Sequence, residues 1–463
     1  MADKEKRPAK ARKRITATGT KDAPDKSIPP GSATIVFKNN HNNIHHHIER
    51  RSSPSSPGPS REMSHLSVFN TTIRPPAQQP FQYFVDRLSG LLVNAIGNEN
   101  PLRTLIVPRV THSQLLLNTV CAVSCLHRSR HAEGEMRTQF QTESTQYYVS
   151  ALADMRKFIS HAQLPDRAGS GGGSSGNSSS SSAVVGTALP NDLWSLQVAL
   201  LSSIFLCKYE IIKDGITHWR QHFEGIEFFS KMLSSNPRQA SIPDIQNFAR
   251  SFITYHKGLA SLTEKGLNTE DVLADAQDSA LVAGSILQPV DPYMGFSRCY
   301  IILLRRVMAL LNMDMTDPKS IFQLQIEVES ILMILGQGTR TAKDFYIPEG
   351  MTQETTTRLE SVARAYECAI HPAWLRFHAC RAIAPRKPAF FPLLFIVACE
   401  TDCPEESAVA LERVGVLDAH VGFGNIQSTA ALLGEVWTQR KQFNRALDWR
   451  TLLASSNWDL IIT

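Results

Sequence analysis

From Pro80 onward, apolar residues recur along this chain at helical intervals. Phe81, Phe84, Val85, Leu88, Leu91, Leu92 and Ala95 make one continuous stripe, because side chains three, four and seven positions apart share a side of an α-helix. The same spacing predicts helices near 111–129, 135–160, 192–211, 216–234, 242–264, 294–313, 319–335, 354–384, 389–400, 405–416 and 427–441. Alternation with period two, the mark of a half-buried strand, is scarce. The expected fold class is all-α, a multi-helix array.

Two stretches break the pattern. Residues 1–76 join a basic run, the histidine-rich segment 39–47 and the serine-proline segment 52–60, with few apolar side chains to fix a core. They read as a disordered arm. Residues 168–182 are almost all Gly and Ser and read as a flexible insert. Helical patterning resumes after Pro190-Asn191-Asp192, a helix start signal. The insert is therefore expected to interrupt a loop between two helices of one domain, 77–463.

A third break carries more information. Glu210 to Ile226 reads as a helix end, a turn at Asp214-Gly215 and a new helix. Trp219, His222 and Ile226 fall at i, i+3 and i+7 there, the spacing of a buried face.

Composition narrows the class. At 463 residues, with 42% hydrophobic and 20% charged side chains, the chain is long enough for a large core and ordinary for a globular protein. Its net charge of +5 is concentrated at one end. Lys4, Lys6, Arg7, Lys10, Arg12, Lys13 and Arg14 stand against only Asp3 and Glu5, which matches the excess of the whole chain. The rest is nearly neutral, so no general nucleic-acid surface is expected on the folded part. The basic run fits a nuclear-import signal or a sequence-blind phosphate contact. Ser53-Pro54 and Ser56-Pro57, just after Arg50-Arg51, suit proline-directed phosphorylation. Eight cysteines are scattered through apolar runs, which suits a reducing compartment. The N-terminus has no apolar run of signal-peptide form. The longest apolar stretch noted, 388–399, is too short to span a bilayer. A soluble, intracellular protein without membrane contact is expected.

Several particular residues point further. Glu210, Gly215, Trp219, His222 and Gly225, at these intervals, resemble the regulatory region of fungal binuclear zinc-cluster transcription factors. Asn100-Pro101-Leu102-Arg103, Pro108, 113–117 and 122–127 look like that family's first block. The Tyr147-Tyr148 pair with Ala151-Leu152 is similar to its next helix, and 391–395, 432–437 and Asp448-Trp449 to its closing ones. The order holds from about residue 80 to the end. The resemblance implies an all-helical regulatory domain acting on RNA polymerase II genes in the nucleus, with the five residues as family-motif packing. It implies as partners other regulators or a second copy of the chain, and a small-molecule effector. The six-cysteine cluster that reads DNA in the family is missing, so DNA contact is expected to be indirect or non-specific. No cofactor is expected, with zinc entering only if an upstream cluster is missing from this chain. A cluster-less interaction module and a metabolite sensor are the alternatives.

Other constellations are weighed against plain packing. Cys121 and Cys125 with His127, and Cys399 with Cys403, have zinc-compatible spacing, but their apolar surroundings favour core cysteines. His41, His45, His46 and His47 lie in a polar tract. His218 and His222 flank Trp219 without a nucleophile in a recognisable motif. Asp271, Asp275 and Asp278 share one helical face that reads as solvated. No phosphate loop, zinc-protease motif or nucleophile elbow occurs, so an enzyme is not expected.

Overall fold

Hydrophobic periodicity translates into helices throughout the computed structural model, which describes residues 73–161, 193–235, 243–263, 289–310, 318–338, 347–370, 391–401, 403–443, 449–456 and 458–462. Among these no strand occurs. The first helix, α1, spans 78–92 and contains a π-helical stretch, Phe84–Leu88. After it come α2 (Pro101–Val110), α3 (Gln114–His131), α4 (Gly134–His161), α5 (Leu193–Lys213), α6 (Trp219–Ser234) and α7 (Pro243–Thr263). The second half holds α8 (Arg298–Leu310), α9 (Pro318–Gly338), α10 (Gln353–Ile370), α11 (Phe391–Glu400), α12 (Pro404–Val421), α13 (Gly424–Phe443) and α14 (Trp449–Ser455). The basic arm, the Gly/Ser insert, the four histidines 41 and 45–47, and the aspartates 271, 275 and 278 lie outside the described residues. Ile73 and Ala77 already belong to the core, so packing begins ahead of the boundary expected at 77.

The array is built around α5. Every residue from Leu196 to Ile212 is buried, as a helix apolar on all sides must be. It is the one helix, among the described residues, long and apolar enough to cross a membrane, and 94% of its apolar window is buried inside the protein. Gln197, Ser202, Ser203, Lys208 and Glu210 break up its apolar run in the sequence. Helices α3 and α6 pack on two of its sides, α4 covers α3, and α13 returns from the C-terminal half to close another. α7 continues outward from α6 and carries α8. The flanks of the Gly/Ser insert meet directly, since Tyr148 of α4 stacks on Tyr209 of α5 with ring centres 4.1 Å apart.

Two helices escape the periodicity reading. α2 contains Pro108, which reads as a breaker. It forms because Asn100 caps it, accepting from the amides of Leu102 and Arg103, and because Pro101 sits in its first turn. α14 is too short for a period to register. The helix expected from 294 starts instead at Arg298. Asp291 Oδ1 accepts from the Tyr293 and Met294 amides and holds 291–297 in a turn. Of the helix expected over 354–384, α10 accounts for the part to Ile370, and the remainder lies outside the described residues.

Candidate functional site

The stripe at the start of α6 is buried, with one change of membership. Trp219, Phe223, Ile226, Phe229 and Leu233 face the core, whereas His222 is only half-buried. His222 turns instead toward α4, where its Nε2 lies 3.1 Å from the Tyr148 hydroxyl. That hydroxyl donates its proton to Glu210 Oε1 at 2.7 Å. Its oxygen must then accept from His222 Nε2–H, which fixes the neutral tautomer. Lys213 Nζ closes the chain on Glu210 Oε2 at 3.3 Å. Burial, then the nearby His218, lowers the His222 pKa to about 4. Burial, then the bond to Glu210, raises the Tyr148 phenol. Neither group exchanges its proton near neutral pH. The chain of bonds ties α4, α5 and α6 together and offers no acid–base couple.

Gly215 ends α5 in the left-handed region, φ 68°. Its amide and that of Asp214 both bond to the Glu210 carbonyl, at 3.0 and 3.1 Å, the closing pattern of a helix C-terminus. Asp214 Oδ1 then accepts from Ile216 at 2.9 Å and starts the turn into α6. His218 is exposed, with φ 58°, and caps α6 without a side-chain bond. The two histidines that flank Trp219 therefore point to different surroundings.

Residues 458–462 are the part of this site that the sequence does not announce. Trp219 is fully buried, and its Nε1 donates to the Asp459 carbonyl at 2.7 Å. Arg220 grips the Asp459 carboxylate in a bidentate pair at 2.7 and 2.6 Å, with its guanidinium over the Trp219 ring. The Ile461 amide donates to the Gly215 carbonyl at 2.8 Å, and the Ile461 carbonyl accepts from Asn425 Nδ2 at 3.2 Å. Thr263 Oγ1 donates to Leu460 O at 2.6 Å. Helices α5, α6, α7 and α13 thus meet on one non-helical segment. A Cβ on Gly215 would overlap that of Asn425, whereas one on Gly225 would meet Ser203 Oγ at an ordinary 3.7 Å. Gly215→Ala is expected to cost about 2–3 kcal/mol, from the left-handed backbone and the overlap together. Gly225→Ala should be neutral, or stabilising by up to about 1 kcal/mol. Urea unfolding of the two variants checks the contrast.

The cysteine pairs resolve separately. Cys121, Cys125 and Cys399 are buried thiols outside any disulfide, and burial pushes Cys125 up to about 12. Cys403 departs from the core expectation: it is half-buried at the start of α12, and its thiol donates to Glu405 Oε2 at 2.8 Å. Among the described residues, no group of three or more His, Cys, Asp or Glu side chains could hold a metal ion. His127 is a fully buried bridge. Its Nε2–H donates to the Val421 carbonyl at 2.6 Å, and its Nδ1 accepts from the Tyr83 hydroxyl at 2.8 Å. Burial lowers its pKa to about 3.

His127 and His222 together predict acid sensitivity. An unfolded imidazole takes up its proton near pH 6.5, while these two stay neutral down to about 3 and about 4. Between those limits the unfolded chain binds more protons, so stability is complete above about pH 6.5 and falls as pH drops. At pH 5 each is expected to have cost about 2 kcal/mol. Melting temperature measured against pH should flatten by roughly one proton's worth of slope in His127→Gln. An unchanged slope would show that His127 does not govern it.

Sequence reasoning passed over Lys208 altogether. It is buried in α5, with Nζ 3.1 Å from His256 Nε2 and over the rings of Phe252 and Tyr293. His256 Nδ1–H donates to the Phe252 carbonyl at 2.9 Å, which leaves Nε2 to accept. Burial pulls the Lys208 ammonium down to about 8. Nearby, between α2, α7 and the turn at 289–298, a cleft of about 700 Å³ is lined by Arg109, Asp244, Phe248, Ser251, Tyr293 and Arg298 among others. Arg298 is engaged by Asp291 at 3.2 Å and by Ser251 at 2.8 Å.

The all-helical array is thus clamped by residues 458–462 of its own chain. The model of the fungal specific transcription factor domain matches residues 79–376 and 381–463. The chain belongs to that family and is a fungal transcription regulator; the family is in general not enzymatic. No curated protein and no solved structure matches the chain.

Proposed function

We propose that this chain controls RNA polymerase II genes in the nucleus, its helical domain acting on other regulators or on a second copy of itself. The observation that carries the reading is the family match, which runs through nearly the whole helical array. In this reading, contact with DNA is indirect or sequence-blind. The basic run from Lys4 to Arg14 serves nuclear import. Fusing the chain to an unrelated DNA-binding module upstream of a reporter should change transcription several-fold. No change in either direction would sink the reading. Neutralising Lys10, Arg12, Lys13 and Arg14 in a fluorescent fusion should reduce nuclear accumulation, and unchanged accumulation would refute the import role.

The cleft beside α7 favours a second reading, that of a metabolite sensor, because its size suits a small ligand. A saturable rise in melting temperature with one member of a metabolite panel would support it. A panel without any shift would dismiss it.

A further inference from the structure

Among the described residues, helix α9 is fastened to α8. Arg306 of α8 pairs with Glu327 and bonds Ser330 Oγ at 3.1 Å, and Ile331 is 6% exposed. Its other side faces solvent with Ile321, Phe322, Ile326 and Val328, of which Phe322, 66% exposed, is the most exposed large apolar side chain among the described residues. Such a cluster on one helix is more than the scatter of single apolar residues a surface carries. Lys319, Phe322, Ile326 and Glu329 stand at i, i+3, i+7 and i+10, one face of the helix. An apolar pair is thus bracketed by charges of opposite sign.

We propose that this stripe is where two copies of the chain pair, α9 against α9, antiparallel about a two-fold axis. Self-pairing requires a patch complementary to itself, and the charge order meets that requirement in one orientation. With Phe322 opposite the partner's Ile326, the antiparallel arrangement sets Lys319 opposite the partner's Glu329, and both contacts occur twice. A parallel arrangement would oppose lysine to lysine and glutamate to glutamate. Apolar residues at the centre with charges at the rim are the usual anatomy of an interface. The stripe is about 15 Å long, which places the contact among small, transient interfaces. This inference does not depend on the transcriptional role and can fail separately from it.

The test is sedimentation velocity of the full chain from about 1 to about 100 µM. The wild type is expected to pass from monomer to dimer in that range. Lys319→Glu and Glu329→Lys each oppose like charges twice and should each weaken association about tenfold or more. Mixing these two variants in equal amounts should restore it, since the new glutamates then face the new lysines. Phe322→Glu should abolish it without moving the melting temperature of the monomer at about 1 µM, because the side chain lies outside the core. A wild type that stays monomeric throughout, a mixture no stronger than its components, or a dimer indifferent to Phe322→Glu would each overturn the proposal.

Discussion

An aspartate in place of Ile461 is expected to destabilise the folded chain by roughly 5 kcal/mol, which approaches the whole stability of many domains. Leu460, Ile461 and Ile462 are each 0% exposed. Three consecutive residues buried this completely, their side chains leaving the backbone in different directions, mean that the segment is enclosed. The backbone cannot swing the new carboxylate outward, because the Ile461 amide and carbonyl are held by Gly215 and Asn425. The charge would be desolvated without a partner. Ile461→Ala keeps the backbone bonds and should cost about 3 kcal/mol, from lost burial and the residual cavity. Asp459→Ala, one residue before Leu460, should cost less than about 1 kcal/mol, because the Arg220 pair is exposed at 35% and 42%. Urea unfolding ranks the three. A wild-type midpoint for Ile461→Asp would mean that the segment is not docked against Gly215.

Local signals and distant ones differ in how well they could be read. Apolar spacing located α4, α5, α6 and α7 to within a few residues, because each has a core-facing side that repeats with the helix period. The turn at Asp214-Gly215 was legible for a similar reason: a left-handed residue that ends a helix favours glycine. What spacing cannot give is the partner. The i+3 spacing places His222 in the buried stripe, but Phe223 takes that place and His222 bonds Tyr148, which lies on another helix. Trp219 could be read as core, yet nothing near it pointed to a carbonyl 240 residues away. Lys208 was invisible for the opposite reason. A lysine in a helix reads as solvated unless the helix is known to be enclosed, and enclosure is a property of the whole array. The resemblance supplied residues before it supplied reasons. Asn100, Pro101 and Gly215 now carry particular backbone duties, whereas Gly225 shows no steric demand for glycine.

Trp219→Ala is the other large effect expected, at about 4–5 kcal/mol. Trp219 is the largest fully buried side chain in the array, and emptying such a site typically costs 3–5 kcal/mol through lost transfer energy and an uncollapsed cavity. The loss of its Nε1 bond to the carbonyl of half-buried Asp459 adds to this. Collapse around the hole is resisted from both ends. Phe223 already packs edge-on at 6.0 Å, and residues 458–462 are pinned independently through Gly215, Thr263 and Asn425. Trp219→Phe separates the two contributions, because it keeps a ring in the site but removes the donor. Its expected cost is about 2 kcal/mol, part cavity and part unpaired carbonyl. Thermal and urea unfolding should therefore order the chains wild type, Phe, Ala, with a wider second step than the first. If Trp219→Ala kept near wild-type stability but lost reporter regulation, Trp219 would be a contact for a ligand or partner, and the clamp it forms with the C-terminal segment would not be what holds this end of the array together.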